Sequence, residues 1–160
     1  MCEVITAVGI DVSKGKSMIA IRRPSGEVIL PPAQVNHTAE ELTHMVKRLR
    51  EIGGDIRIVM EHTGMYWRPI AHAMKKAGFF GSVVNAVLIH NFSDNSLRKA
   101  KTDKENALKI ENYCLTFWAE LRNFYAEDET TQMLKMQCRL YESTQKASVE
   151  LRNGLISLLE

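Results

Sequence analysis

The sequence predicts an α/β fold: a mixed five-stranded sheet with flanking helices, followed by a long helical extension. Three short β-rich stretches joined by tight turns open the chain, and such short links favour antiparallel neighbours. Two helix-then-strand units follow, a pattern typical of parallel crossovers. The last part keeps its apolar residues at helical spacing. We therefore expect an α/β domain over residues 1–126 and a helical coiled-coil segment over 127–160.

The first three predicted elements are strands. They read VITAVGID, KSMIAIRR and EVILPP, and turn residues separate them at 13–16 and 24–26. A helix then begins near Thr38, where Thr38 and Glu41 form a capping box, and it ends at Gly53.

The next elements alternate between strand and helix. DIRIVMEH is a predicted strand, YWRPIAHAMKKAG a helix that ends at Gly78, and FFGSVVNAV (79–87) a further strand. The order is therefore βββαβαβ. Thr102 is a candidate cap for another helix that begins at Asp103.

A second helical stretch begins near Asp128 and carries an apolar seam. Spacings of 3, 4, 4, 3, 4, 4 and 3 suit a seam of coiled-coil type. The seam residues are Met133, Met136, Leu140, Thr144, Ala147, Leu151, Leu155 and Leu158. The seam predicts a homodimer or higher homo-oligomer through 128–160, and one amphipathic helix folded back on the domain remains the alternative. The pattern continues to Glu160 without a stop signal, so we expect a longer protein.

Composition favours a soluble intracellular protein. The 160 residues are 45% apolar, which is enough for a core, and the net charge of +2 is too small to indicate nucleic acid by itself. Cys2, Cys114 and Cys138 are odd in number and lack a CxxC spacing, which favours reduced thiols over a disulfide or zinc site. No signal peptide or membrane-length apolar run is present, so no membrane partner is expected.

Three acids lie at the ends of predicted elements. Asp11 ends the first strand, Glu61 ends the fourth, and Asp103 opens a helix. Two divalent cations about 4 Å apart can activate a nucleophile and stabilise the leaving oxygen of a phosphodiester, and they require several carboxylates. Each acid also has an ordinary explanation: a turn cap for Asp11, an ion pair for Glu61, and a favourable helix dipole for Asp103.

The motifs VGIDVSK, MEHTGMYWRPIAHAMKKAG and KTDKENALKI resemble the N-terminal domain of the DEDD-type insertion-sequence transposases, the family of the Piv and MooV recombinases. The resemblance covers about residues 4–125. It implies a ribonuclease-H-like fold similar to the junction resolvase RuvC. It also implies that Asp11, Glu61 and Asp103 are three of four acids that bind Mg²⁺, for which Mn²⁺ can substitute.

The same resemblance implies a function in DNA transposition, with phosphodiester cleavage and strand exchange. A catalytic serine would come from a further domain outside this chain, so we expect the fragment alone to bind nucleic acid and metal but to turn over little or nothing. Some members are guided by a structured bridge RNA, which makes a guide RNA a further candidate partner. The expected location is the cytoplasm of a bacterium or archaeon.

Two positions depart from the family pattern. Asn106 stands where the family has its fourth acid, three residues after Asp103 and on the same helix face. An amide oxygen can still ligate, but the lost charge should weaken a second metal. We therefore expect a single-metal or impaired site, with Asn106 as its fourth catalytic and metal-binding position. At Asn85-Ala86 the family has Asn-Pro, which affects only the local turn.

Basic residues flank the acids in the sequence and form a predicted nucleic-acid edge. Phosphate contacts from such residues supply affinity without sequence choice. The residues are Lys14, Lys16, Arg98, Lys99, Lys101 and Lys104. Tyr66 and Trp67 open the second predicted helix, where either base stacking or core packing would explain them.

Three other readings stay open at this point. A stand-alone metal nuclease similar to a Holliday-junction resolvase would keep the fold and cleave branched DNA. A half of a sugar-kinase-like or actin-like protein also opens with an acid-bearing strand, but it needs nucleotide-phosphate loops. A non-catalytic oligomerisation or nucleic-acid-binding module would act through residues 128–160.

Overall fold

The computed structural model describes residues 4–62, 64–93, 102–123 and 129–159. Contacts divide the chain into two compact units, residues 1–124 and 125–160, and each is described by itself. The described elements of the first unit are β1 (Ile5–Ser13), β2 (Lys16–Arg22), β3 (Val28–Asn36), α1 (Ala39–Ile52), β4 (Asp55–His62), α2 (Arg68–Lys76), β5 (Phe80–Asn85), α3 (Ala86–Ser93) and α4 (Asp103–Thr116). The second unit contains one 31-residue helix, α5 (Glu129–Leu159).

The five strands form one mixed sheet in the order β3-β2-β1-β4-β5. β1 pairs with β2 and β2 with β3 in antiparallel fashion, whereas β1–β4 and β4–β5 are parallel. The short turns and the helical crossovers dictate this arrangement. The predicted α/β fold with a mixed five-stranded sheet is therefore confirmed.

The structure corrects the sequence prediction at three strand ends. β1 continues past Asp11 to Ser13, because residues 11–13 keep pairing with β2. β3 continues to Asn36 rather than stopping at residue 32, because the chain after the two prolines keeps pairing with β2. The predicted strand over 79–87 ends at Asn85, and Ala86 opens the unpredicted helix α3. The Asn85 side chain accepts a hydrogen bond from the Val87 N–H at 3.0 Å, which starts the helix. Ala86 thus occupies the first helical position, where proline is favoured.

The two faces of the sheet carry different side chains. On one face, β1 and β4 contribute large apolar residues that pack with α1 and α2 in one core cluster: Val8, Ile10, Val12, Ile56, Ile58 and Met60. The alternate residues of the same strands face the other way, where Ala7 and Val59 join Ile110 and Cys114 of α4 in a second cluster. The sheet is therefore covered by α1 and α2 on one face and by α4 on the other.

A membrane-spanning helix is not found in the parts of the chain that the structure describes.

Candidate metal and nucleic-acid site

Strand β1 places Asp11 on the α4 face of the sheet. Ala7 packs in the cluster under α4, and a Cβ built on Gly9 would point at the backbone of Glu111 and Ala107. Side chains of a strand alternate between its faces, so Asp11 follows Ala7 and Gly9 on the α4 side. The acid therefore lies beyond the apolar cluster, towards the end of the strand, and its side chain is only partly exposed.

Asp11 and Glu61 stand where two parallel strands stop pairing. The last paired residues of β1 and β4 are Ile10 and Met60, one position before the two acids. Asp11 still pairs with Met18 of β2 on its other side, and Glu61 with Val84 of β5. Each carboxylate is thus anchored by a regular strand, just beyond the point where the two strands stop pairing with each other.

Helix α4 brings the third acid to the same edge. The Thr102 side chain accepts a hydrogen bond from the Glu105 N–H at 3.3 Å, so the helix begins at Asp103 as predicted. Further along, α4 lies directly on β1: a Cβ on Gly9 would lie 2.8 Å from the Cα of Glu111 and closer still to backbone atoms beside it. A glycine is required there because only a bare backbone lets the helix approach so closely.

The side chains of Asp11 and Asn106 are in contact. The Asn106 amide Nδ2 donates a hydrogen bond to Oδ2 of Asp11 at 3.3 Å. Burial raises the pKa of Asp11, and the charges of Glu61 and Asp103 raise it further, while the Asn106 hydrogen bond lowers it. Asn106, Glu61 and Asp103 therefore each act on Asp11 at this edge of the sheet.

The donor set suits a hard divalent cation. Carboxylate and amide oxygens are the ligands that such ions take, and the mutual repulsion of three acids is relieved when a cation binds. Within the described ranges, no three Asp, Glu, His or Cys side chains already stand together closely enough to hold a metal ion. The four residues thus fit the chemistry of a cation site, and their side chains would have to draw together around the ion.

Sequence reasoning missed the polar contact beneath α4. Glu111 is 1% exposed, and its Oε1 lies 2.8 Å from Nε of Arg22 on β2. The two atoms form an ion pair beneath α4. Burial raises the pKa of Glu111, and Arg22 offsets part of that rise. The sequence held a signal for the burial of Glu111, which lies on the helix face of Ala107, Ile110 and Cys114, but none for its partner Arg22.

The structure describes three of the six predicted basic residues. Lys14 and Lys16 are exposed around the β1–β2 turn, next to the end of β1 that carries Asp11, and Lys104 is exposed in the first turn of α4. Arg98, Lys99 and Lys101 lie outside the described residues.

The two aromatic residues before α2 have different environments. Trp67 is 8% exposed, donates from its indole N–H to the Gly64 carbonyl at 3.1 Å, and stacks obliquely against His62. Tyr66 is 43% exposed. Trp67 is therefore a packing residue, and of this pair Tyr66 presents its ring to solvent.

Comparison with known proteins gives a family and a fold. The family described as Transposase, of the DEDD IS110 type, matches residues 8–160. Thermus thermophilus RuvC, solved in complex with a Holliday junction substrate, superposes with a TM-score of 0.54 and 9% identity over 75% of this chain and 99% of that chain. A second Thermus thermophilus RuvC structure gives 0.47 and 10%, over 74% and 99%. No curated protein matches significantly. The fold is thus RuvC-like, as expected.

Proposed function

Since the chain belongs to the DEDD transposases of the IS110 type, we propose that its first unit is the metal-binding catalytic part of a DNA transposase. Its reaction is cleavage of a phosphodiester bond and strand exchange in DNA. Asp11, Glu61 and Asp103 hold Mg²⁺, or Mn²⁺ as a substitute, and Asn106 lies at the fourth position. The observation that carries this proposal is the convergence of these four side chains at one sheet edge.

The roles of the residues follow from their positions. When bound, a divalent cation supplies Lewis-acid stabilisation of the charge that develops on the phosphate. Asp11 and Glu61 fix their oxygens from rigid strands, and Asp103 adds its own from the first turn of α4. Asn106 holds Oδ2 of Asp11 and so orients the carboxylate between its neighbours.

Asn106 sets the expected number of cations. Three carboxylates oppose the charge of one divalent ion well, whereas a second ion needs a further negative ligand. The amide at 106 is neutral and already donates to Asp11. The site therefore binds one cation firmly and a second one weakly.

DNA lies along the edge that carries the acids. Exposed Lys14, Lys16 and Lys104 contribute positive charge beside Asp11 and Asp103 and contact phosphates. Arg98, Lys99 and Lys101 belong to the same proposed edge by sequence. The RuvC neighbour carries a Holliday junction substrate, and we take branched DNA as the substrate class to test first.

The transposition reaction needs further components. A serine nucleophile comes from another domain, so this chain alone turns over little or nothing. The chain acts as a homodimer or higher homo-oligomer through residues 128–160, in the cytoplasm. A structured guide RNA is a candidate partner of the complex.

Calorimetric titration with Mn²⁺ tests the cation site. Three variants accompany the parent chain: Asp11→Ala, Asn106→Asp and, as a matched control, Glu51→Gln at the exposed last turn of α1. We expect binding to vanish in Asp11→Ala and to stay unchanged in Glu51→Gln. In Asn106→Asp we expect affinity to rise about tenfold, equivalent to about 1.4 kcal/mol. Circular dichroism checks that each variant is folded.

Two results would count against the proposal. Equal binding in the parent chain and in folded Asp11→Ala would place the cation elsewhere. Absence of binding in both the parent chain and Asn106→Asp would mean that these acids have a structural role.

A gel-shift assay with a four-way junction, with Lys14 and Lys16 both changed to Ala, tests the DNA edge independently of metal.

A further inference from the structure

Helix α5 presents an apolar seam to solvent. The eight seam residues are Met133, Met136, Leu140, Thr144, Ala147, Leu151, Leu155 and Leu158. The large ones among them are well exposed in the described unit, with Leu151 at 72% and Leu158 at 83%. Thr144 donates its hydroxyl to the Leu140 carbonyl at 2.8 Å, so its polar atom is satisfied within its own helix. An apolar stripe over most of this helix needs a partner.

The spacing of the seam residues is symmetric about the middle of the helix. Each residue in its first half has a counterpart at equal distance from the midpoint between residues 145 and 146: Met133 with Leu158, Met136 with Leu155, Leu140 with Leu151, Thr144 with Ala147. In an antiparallel pair of helices every layer therefore joins either two large residues or two small ones. The small central layers become Thr144–Ala147 twice, which avoids an empty Ala–Ala layer.

The two sides of the seam differ, and this difference favours one orientation. Each helical residue advances by about 100°, which puts Arg139 and Glu150 on one side of the seam and three large apolar or aromatic residues, with Arg152, on the other: Leu134, Tyr141 and Leu159. In a parallel two-fold pair, opposite sides of the two helices meet, so these three residues would face the charged side. In an antiparallel pair, like sides meet.

Each side of α5 is complementary to the same side of a second, antiparallel copy. In the antiparallel register, Leu134 lies beside Leu159 of the second copy, and Arg139 lies within about 3 Å, along the axis, of Glu150 of the second copy. Arg139 and Glu150 are 11 residues apart in their own helix, too far to pair with each other. Both are exposed, and neither has an ion pair among the described residues.

We propose that two copies of this chain pair antiparallel through α5, with the two-fold axis between residues 145 and 146. The seam repeats every 11 residues rather than every seven, so the paired helices run nearly straight with a slight right-handed twist. The inference rests on the proposed self-association through residues 128–160 and does not depend on the cation site.

Disulfide cross-linking of the full chain tests the orientation. Cys2 and Cys138 are first changed to Ser, and Cys114 can stay because burial raises the pKa of its thiol to about 12. Leu140→Cys and Leu151→Cys are then made in two separately tagged chains. We expect a covalent dimer only when the two chains are mixed, because equal positions lie about 16 Å apart along the antiparallel pair.

Each other outcome overturns the orientation in its own way. Covalent dimers of Leu140→Cys with itself, and of Leu151→Cys with itself, would show a parallel pair. A monomeric mass by light scattering for the uncrosslinked parent chain would overturn self-association through α5, while the Mn²⁺ titration would still judge the cation site.

Charge reversal gives a second measurement without cysteines. Arg139→Glu and Glu150→Arg should each weaken dimerisation about tenfold, and the double variant should restore it. Lys47→Glu is the control, because it makes the same change of net charge as Arg139→Glu at an exposed position of α1. A double variant that is weaker than either single one contradicts the proposed Arg139–Glu150 pairing.

Discussion

The two faces of the sheet are built in opposite ways. Under α1 and α2, strands β1 and β4 present large apolar side chains that fill a core. Under α4, the same strands present Ala7, Gly9 and Val59, followed by the acids Asp11 and Glu61. On the first face, volume sets the distance between helix and sheet. On the second, direct approach of backbones sets it, and this precision is what a cation site requires.

The difference implies that the α4 face tolerates added volume far less than the first face. Gly9→Ala should cost more than about 4 kcal/mol of stability, because its Cβ would collide with the backbone of α4. It should also abolish Mn²⁺ binding, since α4 carries Asp103 and Asn106. Urea unfolding and calorimetry measure the two effects.

Gly81 on β5 provides the matched control for that substitution. It is a buried strand glycine beside Ile58, and a Cβ built on it meets no atom within 4 Å. Gly81→Ala should therefore change stability by less than about 1 kcal/mol. Equal losses of stability in Gly9→Ala and Gly81→Ala would mean that the close approach of α4 does not cause the loss in Gly9→Ala.

The first face should lose stability without losing the site. Ile58 is 0% exposed in the core between the sheet and helices α1 and α2. Ile58→Ala should cost about 3 kcal/mol, because the deleted methyl groups leave a cavity. The Kd for Mn²⁺ should stay within twofold of that of the parent chain when measured well below the Tm. A tenfold loss of affinity would show that the two faces are coupled.

Two helix caps, one on each face of the sheet, allow the same comparison of the two faces with a smaller expected effect. Thr38 caps α1 and Thr102 caps α4, each by accepting a hydrogen bond from the N–H three residues on at 3.3 Å. Changing either threonine to Ala should cost about 1 kcal/mol of stability. Only Thr102→Ala should also weaken Mn²⁺ binding, since its helix turn carries Asp103. Equal metal affinity in both variants would mean that the first turn of α4 does not position a ligand.

The same difference explains which parts of the molecule the sequence could predict. Strand alternation, capping boxes and glycine stops are local signals, and they located β1, β2, α1, β4 and the start of α4. The meeting of Asp11 with Asn106 could be expected only through the family resemblance, because 95 residues separate them. Helix α3 was missed because its apolar residues directly continue those of β5. The Arg22–Glu111 pair requires the packed position of α4, which no local pattern specifies.

A pH dependence of stability is expected from that buried pair. Burial raises the pKa of Glu111 above its usual 4.5, and Arg22 offsets part of the rise. The folded protein therefore keeps the Glu111 proton to a higher pH than the unfolded chain does. Stability from this group is complete below pH 4.5 and is lost as pH rises through the folded pKa.

Glu111→Gln should remove this dependence, because Gln does not titrate. Asp11 titrates in both proteins, so the difference between their unfolding free energies isolates Glu111. As pH falls from 7 towards 4.5, the parent chain should gain stability relative to Glu111→Gln, by at most about 1.4 kcal/mol per pH unit. The opposite slope in urea unfolding would mean that the ion pair with Arg22 outweighs burial, and that the α4 face is held by charge as well as by backbone approach.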